Sequence, residues 1–405
     1  MHRGRDPWQA IWMAVALFCA HEATAQENFI LPSTRVFTAG PVSFYPQAAL
    51  RDTGTDSNVY LDPNNARSDL TYAVTPRIYA VVPIGNTRFI GTGTGDLVYY
   101  RTYSDQRSVT AVLEGRYELT SSGFRPFVEL GFASRGERVG FEIDTRARHT
   151  QSTVIAGADI DVTPMTALSA WVGRSTTNYD ENQEYLSFML ADQLNHSRDQ
   201  AAAGARFRVT PLMTVLLAAE FERDRFELAP LRNADSVRVG PAIAIDTGGV
   251  LTGNAKGGFR AFTPRYPDVP SYRGFVGNAR LHYALPDVVK LDLEANRDLS
   301  YSYDAIQPYY MESGARLTAS QRILGPLELV GIAERREVRN QRIGGTMAFD
   351  GRRELTTSLG GGFAIQKQNE MRFSFTYEHT HRTSSEPVGR NYERTRVVGS
   401  ISYGL

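Results

Sequence analysis

Apolar and polar residues alternate one by one along most of this chain, and that alternation limits the choice of folds more than any other feature. In residues 371–382, Phe373 and Phe375 fall on one side of the alternation and Arg372 falls on the other. The same two-residue period recurs in 111–119, 215–224 and 289–296. Successive side chains of a β-strand point to opposite faces. The pattern therefore predicts many strands, each with one apolar and one polar face.

Two kinds of connection separate these segments and follow one another in turn. Short connections carry proline, glycine or asparagine, and they fall at 83–87, 120–124, 163–166, 210–213, 247–249, 285–287, 324–326 and 367–369. Long connections are polar and without apolar periodicity, and they fall at 178–195, 227–234, 263–272, 340–350 and 384–391. Barrels of the bacterial outer membrane have short turns at one rim and long loops at the other. The alternation of lengths favours such a barrel.

The strands can be counted from the connections. Pairs of strands around the eight short connections give sixteen, and the terminal segment 393–405 gives a seventeenth. Because closed antiparallel barrels of this kind have an even number of strands, an earlier strand is expected within 36–60. We predict an all-β fold, a transmembrane antiparallel up-and-down β-barrel of about 18 strands, with 16 as the alternative.

A soluble β-sandwich is the competing architecture, because it also hides one face of each strand. So many strands make a single sandwich too wide, and the polar faces hold charges of both signs, which suits a water-filled lumen. The barrel is therefore preferred.

The N-terminus has the pattern of a secretory signal peptide. Basic residues come first, then the short apolar run 11–20, then Ala23-Thr24-Ala25. This order predicts cleavage after Ala25, with residues 1–25 as the signal and 26–405 as the barrel. Residues 26–40 are expected to include a short periplasmic segment. The chain's one cysteine, Cys19, lies inside the signal, so disulfides and thiol chemistry are not expected in the mature protein.

Charge and hydropathy exclude several classes of protein. The 44 basic and 44 acidic residues balance, so no excess of charge points to nucleic acid. No later segment reaches the roughly 18 apolar residues of a transmembrane helix, so an exported chain that enters a membrane must do so as a barrel.

The polar faces of the strands are expected to line the lumen. The predicted pore-lining residues are Glu114, Arg116, Arg206, Arg208, Glu220, Glu222, Lys290, Asp292, Glu294, Arg372, Glu378, Arg394 and Arg396. Arginine pairs with carboxylates and hydrogen-bonds hydroxyl-rich solutes. These charges indicate either a pore for hydrophilic solutes or glycans, or a lumen wall held together by salt bridges without selectivity.

No catalytic, cofactor-binding or metal-binding residue stands out, and no enzymatic activity is expected. His379 and His381 share a strand face, but it is the apolar one. Gly91, Gly93 and Gly95 are not followed by the helix that a phosphate-binding loop requires. Nothing singles out a nucleophile with its base.

Two stretches resemble known outer-membrane proteins. The terminal residues 394–405, RTRVVGSISYGL, resemble the C-terminal strand that the barrel-assembly machinery reads, although Leu405 replaces the usual Phe and Gly399 is one position off the commonest pattern. The segment 56–60 (DSNVY), then Ser68-Asp69 and 74–76 (VTP), resembles the opening of the putative β-barrel porin 2 family. That resemblance implies a large outer-membrane barrel of a Gram-negative bacterium. Some such barrels are associated with export of exopolysaccharide or capsule, and no functional residues carry over.

We therefore expect a porin-like channel in the outer membrane that passes polar solutes passively, with a part in exopolysaccharide or capsule export as an extension. The alternative is a structural or adhesive barrel closed by its loops, for which 178–195 is the longest candidate plug. Expected partners are outer-membrane lipids and lipopolysaccharide, the barrel-assembly machinery through the C-terminal strand, and polysaccharide-export components. No nucleic acid partner is expected.

Overall fold

A computed structural model shows how the alternating segments pair. It describes residues 37–121, 123–138, 142–246, 250–285, 288–345, 349–367, 371–386 and 390–404. The predicted signal peptide 1–25, with Cys19 and Ala25, lies outside the described residues and stays a prediction; Leu405 lies outside them as well. Among the described residues, no helix has the length and apolar character needed to cross a membrane.

Nineteen strands form one antiparallel sheet, and eighteen of them make up its ring. The first nine are β1 Val42–Asp56, β2 Asp69–Ile84, β3 Thr87–Tyr100, β4 Ser108–Leu119, β5 Phe124–Arg138, β6 Arg146–Thr163, β7 Thr166–Tyr179, β8 His196–Thr210 and β9 Met213–Phe226. The other nine are β10 Ala234–Asp246, β11 Leu251–Pro264, β12 Tyr272–Leu285, β13 Val289–Tyr301, β14 Tyr309–Leu324, β15 Leu327–Gln341, β16 Arg353–Gln366, β17 Met371–Ser384 and β18 Tyr392–Tyr403. The nineteenth, Phe37–Ala39, pairs with the start of β1.

The ring closes between its first and last strands. Each strand pairs with its neighbour in sequence, and β1 pairs with β18 as well as with β2. In this seam Leu50 lies opposite Ile401 and Thr55 lies opposite Val397. Closure gives each of the eighteen strands a hydrogen-bonded neighbour on both sides and leaves no free sheet edge, as a bilayer requires. The prediction of eighteen strands is confirmed, with β1 as the strand expected within 36–60, and the sixteen-strand and sandwich alternatives are wrong.

The short and long connections lie at opposite rims, as predicted. The eight short turns each follow an even-numbered strand, and the longer loops follow the odd-numbered ones. In the turns, Gly85 has a φ of 60° and Gly325 a φ of 54°, values that favour glycine because it lacks a Cβ. The β7–β8 loop holds two short paired strands, Glu184–Tyr185 and Phe188–Met189, and a short helix, α1, Leu190–Leu194. Two 3₁₀ turns, Ser104–Gln106 and Pro230–Arg232, lie in the β3–β4 and β9–β10 loops.

The two faces of the ring differ in character. Large apolar side chains are exposed on the outer face, for example Leu113 at 58%, Phe275 at 62% and Leu359 at 61%. The inner face carries the charged residues that alternate with them. This inversion of a soluble protein's surface is what a barrel surrounded by lipid shows.

Apolar packing inside the ring is found towards the long loops. One buried cluster joins Ile143, Tyr179, Leu190 and Tyr303. A second joins Phe262, Val269, Leu299, Tyr309 and Met311. The interior is therefore partly filled near the loops.

Candidate functional site

The predicted pore-lining residues share the inner face of the ring. Strand β4 illustrates this, because Arg116 is buried while Leu113 and Tyr117 are exposed on the outer face. The alternation puts the other twelve on the same inner side: Glu114, Arg206, Arg208, Glu220, Glu222, Lys290, Asp292, Glu294, Arg372, Glu378, Arg394 and Arg396. That they line an open channel stays a prediction.

The densest charge cluster on the inner wall covers β9 to β13. Arg238 reaches Glu220 and Asp298, each at 3.0 Å. Arg260 lies 2.9 Å from Glu222 and also contacts Asp298. Lys256 contacts Glu220. Several of these pairs join strands that are not adjacent, which is possible on the concave side of a curved sheet. Together the pairs brace this part of the wall.

Two further groups contain predicted residues. On β4 and β5, Arg116 lies 2.7 Å from Glu118 and also contacts Glu129. Near the short turns, Glu328 of β15 accepts from both Lys290, at 2.8 Å, and Arg372, at 3.2 Å. Other predicted residues join smaller sets: Arg316 with Glu378, Arg206 with Asp159, and Arg396 with Asp52.

Some predicted residues are not part of these larger groups. Asp292 contacts His282 across β12 and β13, and Glu294 lies 3.3 Å from Arg280. Both carboxylates are about half exposed, at 51% and 52% of the side chain. Glu114 accepts from Thr92 at 3.4 Å, and Arg208 lies near a short turn. The inner wall is thus not uniformly neutralised by buried pairs.

The segment 56–60 has a structural part in closing the ring. Arg394 Nε donates to Asp56 at 2.9 Å, linking β18 to β1. The Asn58 amide donates to the carbonyl oxygens of Asp62 and Glu393, at 2.9 and 3.0 Å. All three contacts lie at the long-loop end of the seam. The polar residues of this stretch therefore hold the first loop against the last strand.

The loops meet over one mouth of the ring. The β5–β6 loop contacts the β13–β14 loop, although β13 is eight positions from β5 in a ring where nine positions is the farthest. A contact between such distant strands must cross the mouth. We call the residues that make this crossing the mouth cluster: Glu142, Asp144, Tyr185, Tyr303, Arg352 and Arg390.

Glu142 is the centre of the mouth cluster and is 1% exposed. Its carboxylate accepts from the Ser302 hydroxyl at 2.8 Å and from the Asn340 amide at 2.9 Å. It also contacts the Arg352 guanidinium. One side chain of the β5–β6 loop thus joins β13–β14, the end of β15 and the β15–β16 loop.

Asp144 and Arg390 extend the crossing to the last loop. Arg382 of β17 donates to Asp144 at 2.7 Å. Arg390 donates to the backbone carbonyl of Glu142 at 2.6 Å and to the Tyr185 hydroxyl at 2.7 Å. It also pairs with Glu354 of β16. Buried charges of both signs are therefore matched across the mouth, as burial requires.

The β7–β8 loop, which the sequence marks as the longest candidate plug, supplies aromatic packing. Tyr185 packs edge-on against Tyr303, with ring centroids 4.8 Å apart. Phe188 packs against the same ring at 5.7 Å. The loop contributes to the crossing, but the shorter β5–β6 loop carries its central charges.

The environment shifts the ionisation of these loop groups. Burial raises the pKa of Glu142 from its ordinary value of 4.5, although Arg352 and hydrogen bonds from Asn340 and Ser302 oppose the rise. Burial also acts to raise the pKa of Asp144, but the charge and hydrogen bonds of Arg382 outweigh it, so this pKa is lowered from 3.8. For Arg390 the carboxylate of Glu354 outweighs the effect of burial and raises the pKa. Asp144 and Arg390 therefore remain charged at neutral pH.

The mouth cluster was not found from the sequence. Glu142, Arg352 and Arg390 lie in loops without periodicity, and no local motif marks them. An acidic residue in the β5–β6 loop gave no signal that distinguishes it from a solvated loop charge. Across the described ranges, no group of three His, Cys, Asp or Glu residues could hold a metal ion.

A closed antiparallel ring with an apolar outer face and a charged inner face defines an outer-membrane barrel of the porin class. A family model described as "Putative beta-barrel porin 2" matches residues 37–403. The chain belongs to this family, as its opening and its strand rhythm indicated. No protein of curated function matches the chain in sequence.

Solved structures similar in fold come from Pseudomonas aeruginosa. The outer membrane protein OpdK is 12% identical, with a TM-score of 0.49 over 89% of this chain and 98% of that one. OccK2 (OpdF) is also 12% identical, with a TM-score of 0.49 over 89% and 97%. OprD is 11% identical, with a TM-score of 0.47 over 89% and 94%.

Proposed function

We propose that this porin lets small polar solutes pass through its charged lumen, and that the mouth cluster is the narrowest part of the path. The observation that carries the proposal is the inner wall, where half-exposed charges such as Asp292 and Glu294 remain beside the braced pairs. Water-facing charges of both signs suit hydrophilic solutes and repel apolar ones. No enzymatic step is part of this proposal.

Single-channel recording in a planar bilayer tests the proposal. The mature protein is expected to give a steady ion current. Arg372→Glu is expected to shift the reversal potential in a salt gradient towards cations, because Arg372 is partly exposed on the inner face. Arg174→Glu, which makes the same charge change on the outer face, is the matched control and should leave the reversal potential unchanged.

Export of exopolysaccharide or capsule is not part of the proposal. A polymer chain needs a wide, continuous path, and the loops that meet at Glu142 would have to move aside for it. Passage of small solutes requires only gaps beside the mouth cluster.

A structural or adhesive barrel is the second candidate, and the burial of Glu142 and Arg352 favours it. Such a barrel would act through its external loops. A folded, membrane-inserted protein whose mobility on gels changes on heating, but which gives no current, would support this candidate over the porin.

A further inference from the structure

Outward-facing arginines gather at the long-loop end of β13 to β16. In residues 333–340 of β15, the outer face carries Ala333, Arg335, Glu337 and Arg339, while Glu334 and Asn340 are buried on the inner side. Outward-facing arginines of β13 and β16 lie beside these residues. We call this set the rim patch: Arg297, Arg335, Glu337, Arg339 and Arg353.

The contacts show that the rim patch is organised around a single carboxylate. Arg339 reaches Glu337 at 2.9 Å and Arg353 reaches the same side chain at 2.6 Å. Arg297 donates to the Ser313 hydroxyl at 2.8 Å and to the Phe275 carbonyl oxygen at 3.2 Å. Two of the four guanidinium groups contact the one carboxylate, and the rim patch as a whole has a formal excess of three positive charges.

These arginines remain available at the surface. The side chains of Arg339 and Arg353 are 48% and 59% exposed, whereas Glu337 is 20% exposed. The carboxylate therefore lies beneath the guanidinium groups that it orients. An incoming anion would meet donors before it met the carboxylate.

The rim patch stands at the outer edge of the apolar belt. Arg335 is two residues from Ala333, which lies in register between the exposed Leu317 and Leu359. Leu329 and Phe363 continue the apolar surface towards the short turns. The charges thus sit at the height where the acyl chains of the surrounding leaflet give way to headgroups.

We infer that the rim patch binds the phosphate groups of a phosphorylated lipid headgroup in the outer leaflet. Guanidinium groups bind phosphate in a bidentate manner, and two of them already converge on one anionic group here. The patch faces lipid rather than the lumen, so it is presented to headgroups and not to solutes in transit. Its place above exposed leucines lets one lipid contact both charge and apolar surface.

A second outward group of arginines provides a contrast. Arg223, Arg225 and Arg265 surround Asp235 at 2.9 to 3.3 Å. Next to it, Asp199 lies in register with both Arg223 and Arg174. The additional carboxylate brings this group closer to neutrality, and we assign the lipid site to the rim patch.

The test measures retention of lipid A by the full mature protein in detergent, using native mass spectrometry. The probes are lipid A with two phosphates and its form with one phosphate. A triple variant combines Arg335→Ser, Arg339→Ser and Arg353→Ser. It is expected to weaken retention of the first probe at least about tenfold. The form with one phosphate is expected to bind the unaltered protein more weakly.

Two further variants separate binding from folding. Glu337→Gln removes the competing carboxylate and is expected to strengthen retention, a direction that misfolding cannot produce. Arg174→Ser removes an exposed outer arginine whose charge is matched by Asp199, and it should leave retention unchanged.

Three results would overturn the inference. The triple variant would retain lipid A as the unaltered protein does, Glu337→Gln would fail to strengthen retention, or Arg174→Ser would lose as much as the triple variant. Competition between lipid A and inorganic phosphate at millimolar concentration is a further measurement. If it displaces lipid A completely, the patch is a site for free anions and the assignment to a lipid is wrong.

Discussion

Individual buried charges decide the shape of the mouth. The Glu142 side chain contacts groups from three other parts of the chain, the farthest of them Arg352 at a sequence separation of 210 residues. Removing the acceptor of a buried donor leaves that donor unsatisfied, which costs about 1 to 3 kcal/mol. The crossing therefore depends on a few side chains rather than on broad packing.

The variant Glu142→Ala tests that dependence. It removes the acceptor for the Ser302 hydroxyl, the Asn340 amide and the Arg352 guanidinium, so the loops are expected to separate more often by a factor corresponding to roughly 3 kcal/mol. Trypsin added to folded, membrane-inserted protein should then cut faster after Arg342 and Arg352. The control Glu181→Ala removes an exposed carboxylate of the β7–β8 loop and should not change the cleavage rate. Equal rates in both variants would contradict a central role for Glu142.

The response of the mouth to pH follows from Asp144. Its pKa is lowered from 3.8, so its contribution to loop closure is present above that value and is lost as the pH falls through the lowered pKa. Glu142 has a raised pKa, so its contribution is present below 4.5 and weakens as the pH rises; acidification does not loosen the mouth through this group. Together they predict that closure persists from pH 7 down to 3.8 and weakens only below that value.

Channel recordings across pH check this expectation. Current should increase only below pH 3.8, and Asp144→Asn should give the acid-like current already at pH 7. An increase between pH 7 and 5 would show that another group controls the loops.

At the scale of single elements, the seam between β1 and β18 is the critical contact. A Cβ on Gly54 would lie 2.0 Å from the Val397 carbonyl oxygen, so the close approach of these strands depends on glycine there. Register also shifts between Leu50 and Thr53, where Asp52 has a φ of 57°. The seam is thus a specific pairing with a bulge and not a loose contact of chain ends.

Engineered cysteines can check the register of the seam. Leu50→Cys with Ile401→Cys places two thiols on directly paired residues, and opposed residues in antiparallel strands have Cα atoms about 4.5 to 5.5 Å apart. That spacing allows a disulfide, so oxidation should link the two chain ends. Leu50→Cys with Val397→Cys moves one thiol four residues, roughly 13 Å, along the strand and should not link. Linking in the second pair alone would mean a different register.

The strands and turns were predictable because their sequence signals are local. Alternation in 371–382 predicted β17, and the proline and glycine residues near 163–166 and 324–326 marked turns. Strand β1 was also predictable, because a closed barrel of this kind has an even number of strands. The mouth cluster was not predictable, because it joins loop residues that are far apart in sequence and carry no periodic pattern. The seam contacts of Asn58 were likewise invisible, although the segment 56–60 drew attention through its resemblance to the family.

At the scale of the whole molecule, the ring separates three environments. The apolar face is turned to lipid, the charged residues lie on the inner wall, and the loops gather at one mouth. Pairs such as Arg260 with Glu222 brace the wall, and we propose that the mouth cluster sets how far the path is open. On this proposal, the contacts of the mouth cluster decide whether the barrel is a channel or is closed.

Single-channel recording of the mature protein beside Glu142→Ala tests this account most directly. We expect a small, steady current in the unaltered protein and a larger or more often open one in the variant, because the variant loosens the crossing. A folded, inserted barrel that carries no current in either form would contradict the account and leave a structural barrel in its place.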